Sequence, residues 1–346
     1  MVEEKKIYWV DNLRFLATIS VIFLHVASPI YFQFGKVSDA YWWTAFLYSG
    51  TTRFGVPIFL MLTGALILPK NYSIGYYLKN RFNRIVLPFL FWSFIYITYN
   101  YSNVFSNENI TFSTKLTIVL NQLNNGSQYH LWYIYVLIGL YLFIPIISRW
   151  VRNATKNEIL YFIIIWFFVM ILNQPYVISL GIKPTIDFTY FSGFMGYLVL
   201  GYYLSIVEIN KKWINILPIG LIVLGMAITM YGTYYVTFSE GKSSEVFLGV
   251  LSPNRVLFAA GLFLFFKNRN KTYPKIQPII NFIIKFSFGI YLSHVFVINI
   301  LLDLGISCYT INPYIGIPLT SILTIIISGL LTFCINKLLF GKHFSG

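Results

Sequence analysis

Runs of about 20 predominantly apolar residues recur along the whole chain, and no polar stretch between them is long enough to hold a soluble domain. A segment that crosses lipid has to satisfy its own backbone N–H and C=O groups, which a helix does without help from its neighbours. The chain is therefore expected to be an all-α, polytopic integral membrane protein. The apolar runs place ten transmembrane helices near 10–30, 43–68, 83–101, 131–150, 159–173, 191–207, 213–231, 246–266, 279–302 and 314–340. Charge leads to the same class. Only 10% of the 346 residues are charged, against roughly 25% in an ordinary soluble domain, and so few charges cannot cover a surface that faces water.

An even number of spans puts both termini on one side. With the termini inside, 18 of the 25 Lys and Arg residues fall in inner segments, among them Lys5, Lys6, Lys70, Arg81, Arg84, Lys285 and Lys342. Only Lys36, Lys115, Lys183 and Lys242 fall in outer ones. That alternation is the positive-inside pattern, so the net charge of +14 reports membrane topology and not a nucleic-acid patch. Both termini are expected in the cytoplasm. Lys5 and Lys6 precede the first apolar run as they would in a signal peptide. The run continues to about Ile30 without a small-residue cleavage pattern, however, and is read as a retained span.

Residues 1–346 form one expected transmembrane domain with no appended soluble one. The longest connection, 102–130, is outside and rich in Asn and Ser, fitting a short interfacial helix or the cover of a cavity. Trp and Tyr near span ends fit an interfacial belt. Cys308 and Cys334 are poorly placed for a disulfide, and no metal-ligand spacing occurs.

The remaining basic residues, Arg14, Arg53 and Arg255, lie within or at the edge of apolar runs, where an ionisable side chain marks a functional site by default. Arg14 and His25 are eleven residues apart, which is three helical turns plus about 20° and roughly 16 Å of rise. They share one stripe of the first helix. A neutral imidazole at position 25 is suited to deprotonating a hydroxyl that attacks a thioester, and equally to a structural bond with a carbonyl. Arg81 and Arg84, three apart at the inner mouth of the third span, suit bidentate grip on phosphate or simple topology-setting charge. Arg53 opens a run through Gly55, Pro57 and Gly64 that predicts a kinked or closely packed helix, and Arg255 follows Ser252-Pro253-Asn254. Either arginine fits an oxyanion or phosphate, or pairing with carbonyls. His130, in His130-Leu131-Trp132-Tyr133, and His294, closing Ser287 to His294, read first as structural hydrogen-bonders.

Taken together and in order, these segments resemble the acyltransferase-3 family of membrane acyltransferases. The likeness rests on Asp11-Asn12-Leu13-Arg14 with His25, the Arg53 to Gly64 run, Arg81-Phe82-Asn83-Arg84, and the two later histidine segments. The resemblance implies ten helices, acyl-CoA (above all acetyl-CoA) as donor, and a cell-envelope glycan or lipid-linked sugar as acceptor. It also implies His25, with its partner Arg14, as the catalytic centre and the pair Arg81 and Arg84 at the donor's phosphates; Arg14 is a further candidate there, and Arg53, Arg255 and His130 are oxyanion or substrate candidates. Asn12 stands where relatives carry glycine, a change expected to affect helix entry only. Many relatives carry an esterase-like outer domain, so direct transfer or a separate extracellular partner is expected here. The competing classes are a polysaccharide or glycolipid exporter, which usually shows internal repeats not seen in this chain, and a structural subunit, which leaves Arg14 and His25 without a role. The Ile, Asn, Lys, Tyr and Phe richness points to an AT-rich bacterial genome and hence the plasma membrane.

Overall fold

The computed structural model describes residues 7–181, 187, 191–310 and 312–345; Lys5, Lys6 and Lys183 lie outside them. Among the described residues there is no strand, and the helices are α1 (Tyr8–Tyr31), α2 (Asp39–Thr52), α3 (Gly55–Ile67), α4 (Ile74–Arg81), α5 (Leu87–Asn100), α6 (Ser102–Ser106), α7 (Phe112–Asn125) and α8 (Trp132–Asn153). They continue as α9 (Lys156–Leu172), α10 (Pro175–Ile178), α11 (Met195–Ile206), α12 (Ile216–Glu240), α13 (Pro253–Arg269), α14 (Gln277–Lys285), α15 (Ser287–Asp303) and α16 (Pro313–Lys337).

Local chemistry sets several of these boundaries. Thr155 and Glu158 form a reciprocal capping box at the start of α9, and the bonds from the Thr155 backbone and hydroxyl hold the Glu158 carboxyl below the usual carboxylate range. The Asn312 side chain accepts from the Tyr314 N–H at 3.0 Å, with Pro313 at the first helical position of α16. A π-helical turn, Phe82–Val86, joins α4 to α5 and ends just before Pro88, which has no N–H to return to the Arg84 carbonyl.

Among the described residues, six helical segments are long and apolar enough to cross a membrane: Tyr8–Tyr31, Asp39–Ile67, Ile74–Asn100, Tyr129–Asn153, Ile216–Glu240 and Pro313–Lys337. The remaining expected spans take other forms. The run 159–173 is carried by α9 and 191–207 by α11, with 17 and 12 residues respectively. The run 279–302 is not one helix, because α14 and α15 meet at an 80° bend beside Phe286. In 246–266 the helix begins only at Pro253. The preceding apolar residues stay non-helical because side chains bind their carbonyls: Tyr197 Oη to Val250 at 2.6 Å, Gln174 Nε2 to Leu251 at 2.9 Å and Asn254 Nδ2 to Phe247 at 2.8 Å. Irregular backbone at membrane depth persists where protein satisfies it in this way.

The bundle is organised around α1, which packs on α2, α3, α13, α14, α15 and α16. The expected close packing after Arg53 is present. Ideal Cβ atoms would fall 1.9 Å from the Leu198 carbonyl oxygen at Gly64 and 2.0 Å from that of Met61 at Gly201, so α3 and α11 cross backbone to backbone. Along α16, Thr320, Thr324, Ser328 and Thr332 are buried at every fourth position, while Ile322, Ile326 and Leu330 are exposed. Small polar residues thus face the bundle and apolar ones face outward, the arrangement of a helix solvated by lipid. Asn12 does more than enter a helix: its Nδ2 donates to the Lys271 carbonyl at 2.8 Å, tying the start of α1 to the loop after α13.

Candidate functional site

The stripe shared by Arg14 and His25 runs the depth of the bundle and opens into a different cavity at each end. Arg14 lines a cavity of about 780 Å³ at one end. His25 lines a pocket of about 520 Å³ toward the other. The two residues are therefore separated, and Arg14 belongs with Arg81 and Arg84 instead of touching the His25 ring.

The larger cavity collects cations from distant parts of the chain. Arg14 comes from α1, Lys70 from the loop after α3, Arg81 and Arg84 from the end of α4 and the π turn, Lys285 from the α14–α15 bend, and Lys342 from a short turn beyond α16 that also brings the His343 ring to the wall. Among the described residues, no Asp or Glu lines it. Deeper walls are apolar and aromatic, including Phe59, Leu62, Leu137 and Tyr141. The Arg81 guanidinium lies 5.5 and 5.3 Å from the ring centres of Tyr77 and Tyr141, a distance at which an aromatic face attracts the cation. A cavity with many cations and no carboxylate has one electrostatic preference, for a polyanion, and guanidinium groups match phosphate geometry best.

The smaller pocket is built differently. Ser28, Thr52 and His25 give it polar atoms, and Phe32, Tyr129 and Trp132 give it aromatic faces. Its wall includes Leu248 and Val250 of the non-helical segment before α13. Arg53 also lines it, but its Nη1 is 2.7 Å from Glu245 Oε1, so its charge is already neutralised. Arg255 stands behind this wall. It is fully buried, donates from Nη1 to the Gly50 carbonyl at 2.9 Å, and lines neither cavity. One nitrogen of its guanidinium braces the end of α2, while Nε and Nη2 have no hydrogen-bond partner among the described residues.

At the inner edge of this pocket three histidines converge. Ring centres lie 6.3 Å apart for His25 and His130, 5.1 Å for His25 and His294, and 4.8 Å for His130 and His294. His130 and His294 are buried, and His25 is part-exposed to the pocket. His294 Nδ1 sits 2.6 Å from the Tyr291 carbonyl oxygen. A carbonyl only accepts, so Nδ1 carries the proton and Nε2 is left as a lone-pair acceptor. Among the described residues that Nε2 has no hydrogen-bond partner. His25 and His130 both line the pocket, His25 being the more exposed of the two, and His294, a further imidazole of fixed tautomer, stands behind them. Among the described residues, no group of three or more His, Cys, Asp or Glu side chains converges as metal ligands do, the histidine cluster included. Cys308 is buried between α15 and α16, and burial pushes its thiol up to about 11, which removes it as a nucleophile near neutral pH.

The two cavities share two residues, Tyr133 and Tyr291. Their rings are 5.6 Å apart and cross edge to face. The Tyr291 hydroxyl donates to the His130 carbonyl, which locks the 3₁₀ turn Tyr129–Leu131 against α15. These tyrosines form the partition between the cationic cavity and the histidine pocket.

The sequence puts Arg14 and His25 on one stripe facing into the bundle and Arg81 and Arg84 at the inner mouth of a span, and it gives His294 a structural role only. The Ser287 to His294 run was the available signal, and its conversion to a site depended on α15 packing beside α1. Lys285, Lys342, Tyr133 and Tyr291 carried no local signal of a shared cavity. A family model described as an acyltransferase domain matches residues 7–335, which leaves Lys342 and His343 beyond the match. Neither the curated proteins nor the solved structures give a match to the chain.

Proposed function

The chain belongs to the acyltransferase-3 family of membrane acyltransferases, and from that premise we propose that it transfers an acyl group, in the first instance acetyl, from acyl-CoA to a hydroxyl of a cell-envelope polysaccharide or glycolipid. The observation that carries the reading is the pair of unlike cavities meeting at Tyr133 and Tyr291. One is suited to a polyanion and the other presents a histidine to aromatic and hydroxyl-bearing walls.

The positive-inside pattern supports a reading in which the cationic cavity and both termini face the cytoplasm, where acyl-CoA is available, and ten segments traverse or enter a bacterial plasma membrane. Arg81, Arg84 and Arg14 hold the 3′-phosphate and the 5′-diphosphate, and the pantetheine arm runs along the apolar walls toward the tyrosine partition. The acceptor enters the outer pocket. His25 takes the proton of its hydroxyl as the oxygen attacks the thioester carbon, so that an O–C bond forms while the S–C bond breaks. The proton passes to the departing thiolate, giving ester and free CoA. His294, with its proton fixed on Nδ1 and its ring 5.1 Å from that of His25, keeps Nε2 as an acceptor and is suited to stabilising the imidazolium. Arg53, held by Glu245, and His130 line the path of the developing oxyanion.

The partition disfavours the exporter reading, since a sugar chain needs a continuous path and only a small acyl group has to pass these rings. Purified protein should release thiol from acetyl-CoA in an acceptor-dependent manner, and envelope glycans from cells lacking it should lose the mass of the acyl group. Export of unmodified glycan with no thiol release would refute the reading.

A further inference from the structure

The chain does not leave the bundle after α16. It reverses at Phe340, which adopts a left-handed φ of +63°, a conformation that a bulky side chain keeps only when its surroundings hold it there. The next residue is Gly341, where a Cβ would lie 1.7 Å from the Ile335 carbonyl oxygen, so the turn folds directly onto the end of its own helix. Beyond it the backbone docks again. A Cβ at Gly289 would fall 2.1 Å from the Ser345 carbonyl oxygen, Asn336 Nδ2 donates to Ser345 Oγ at 2.8 Å, and the Phe344 ring sits 5.0 Å from that of Phe91. Ser345 is buried, whereas Lys342 and His343 between these anchors are exposed and line the cationic cavity with Arg14, Arg81, Arg84 and Lys285.

The anchors therefore serve to hold two exposed basic side chains at a cavity mouth, although neither side chain contributes to the packing that holds the turn. We propose that the turn Phe340–Ser345 is part of the donor site, with Lys342 and His343 completing the phosphate-binding surface begun by Arg81 and Arg84. The assignment rests on the reading of this cavity as the acyl-CoA site. Lys342 supplies a mobile point charge and His343 a planar donor, both suited to the wet edge of a site where a nucleotide phosphate remains partly hydrated.

The test uses full-length protein in lipid nanodiscs, titrated with acetyl-CoA and with its 3′-dephospho form. The double variant Lys342→Gln/His343→Gln should weaken acetyl-CoA binding by about two- to thirtyfold at low salt, the range for two solvent-exposed contacts to phosphate, and less at high salt. KM for acetyl-CoA should rise in parallel while kcat at saturating donor stays unchanged. Lys342→Arg should retain donor affinity. Phe344→Ala, which leaves both charges in the chain but removes the anchor on Phe91, should raise KM in the same direction, as a role in positioning requires. A deficit that vanishes with the dephospho donor places the pair at the 3′-phosphate, and one that persists places it at the diphosphate. If the Gln double variant binds both donors as the wild type does while Arg81→Gln/Arg84→Gln loses affinity, the donor reading stands and the turn is only a cover. If wild-type protein binds no acetyl-CoA, or binds it unchanged after Arg81→Gln/Arg84→Gln, the donor reading fails and this inference falls with it.

Discussion

Replacing Tyr133 with Ala should turn a transferase into a leaky thioesterase. The side chain is 5% exposed and packs against Tyr291, Trp132 and Phe59. Truncating a buried aromatic ring costs about 3–5 kcal/mol where the surroundings cannot collapse. Because this ring already borders open space on two sides, the loss of stability belongs at the lower end of that range. The larger effect is on topology, since removing the ring joins the cavities of about 780 and 520 Å³. On the proposed mechanism, water from the outer pocket then reaches a thioester placed beside His25. We expect acceptor-independent thiol release from acetyl-CoA to rise roughly tenfold, the rate equivalent of about 1.4 kcal/mol of lost water exclusion, while transfer to acceptor falls. Tyr133→Phe keeps the ring and should behave as wild type. The assay is thiol release with and without acceptor, on protein whose helicity and elution profile match the wild type. Unchanged hydrolysis in a folded Tyr133→Ala protein would show that the ring does not divide the cavities.

His25→Ala should reduce acyl transfer by roughly 10²–10⁴-fold with insertion intact, and His294→Ala should lose activity by a smaller factor; equal losses in folded samples would place the proton chemistry on the pair. Arg81→Gln/Arg84→Gln should weaken acyl-CoA binding by about 2–4 kcal/mol, with partial recovery in the Lys double variant and a shallower salt dependence, read by titration. Gly64→Ala drives a methyl group into the Leu198 backbone and should destabilise the protein by about 1–3 kcal/mol or more, seen as a lower melting temperature in detergent. A melting temperature equal to wild type would mean that α3 and α11 separate without cost.

The features legible in the sequence are those fixed by period and solvent. The four-residue repeat of Thr320, Thr324, Ser328 and Thr332 marks the inward face of α16 without any tertiary information, and the eleven-residue spacing of Arg14 and His25 puts them on one stripe for the same reason. Hydropathy was less reliable about where helices stop. Residues 246–252 are as apolar as a span, but Gln174, Tyr197 and Asn254 take their carbonyls, and those partners come from other helices. The α14–α15 bend at Phe286 has no proline or glycine at the break to announce it. His294 reaches the histidine cluster, and Lys342 its cavity, through packing between helices far apart in the chain, a relation that no local pattern encodes.

The tyrosine partition also has an electrical consequence. On the proposed mechanism the phosphates stay on one side and the acceptor on the other, so the acyl group and one proton are all that exchange sides. If His25 hands the acceptor's proton to the thiolate, acyl group and proton move in opposite directions and no net charge crosses the membrane field. If the proton instead escapes outward and the thiolate is protonated from the cytoplasm, each turnover carries one elementary charge outward, coupled to the membrane potential by about 2.3 kcal/mol per 100 mV. Turnover in proteoliposomes clamped at opposite potassium diffusion potentials would therefore report the route of the proton through the histidine cluster: a rate indifferent to voltage belongs to a sealed relay, and a rate that follows voltage to an open one.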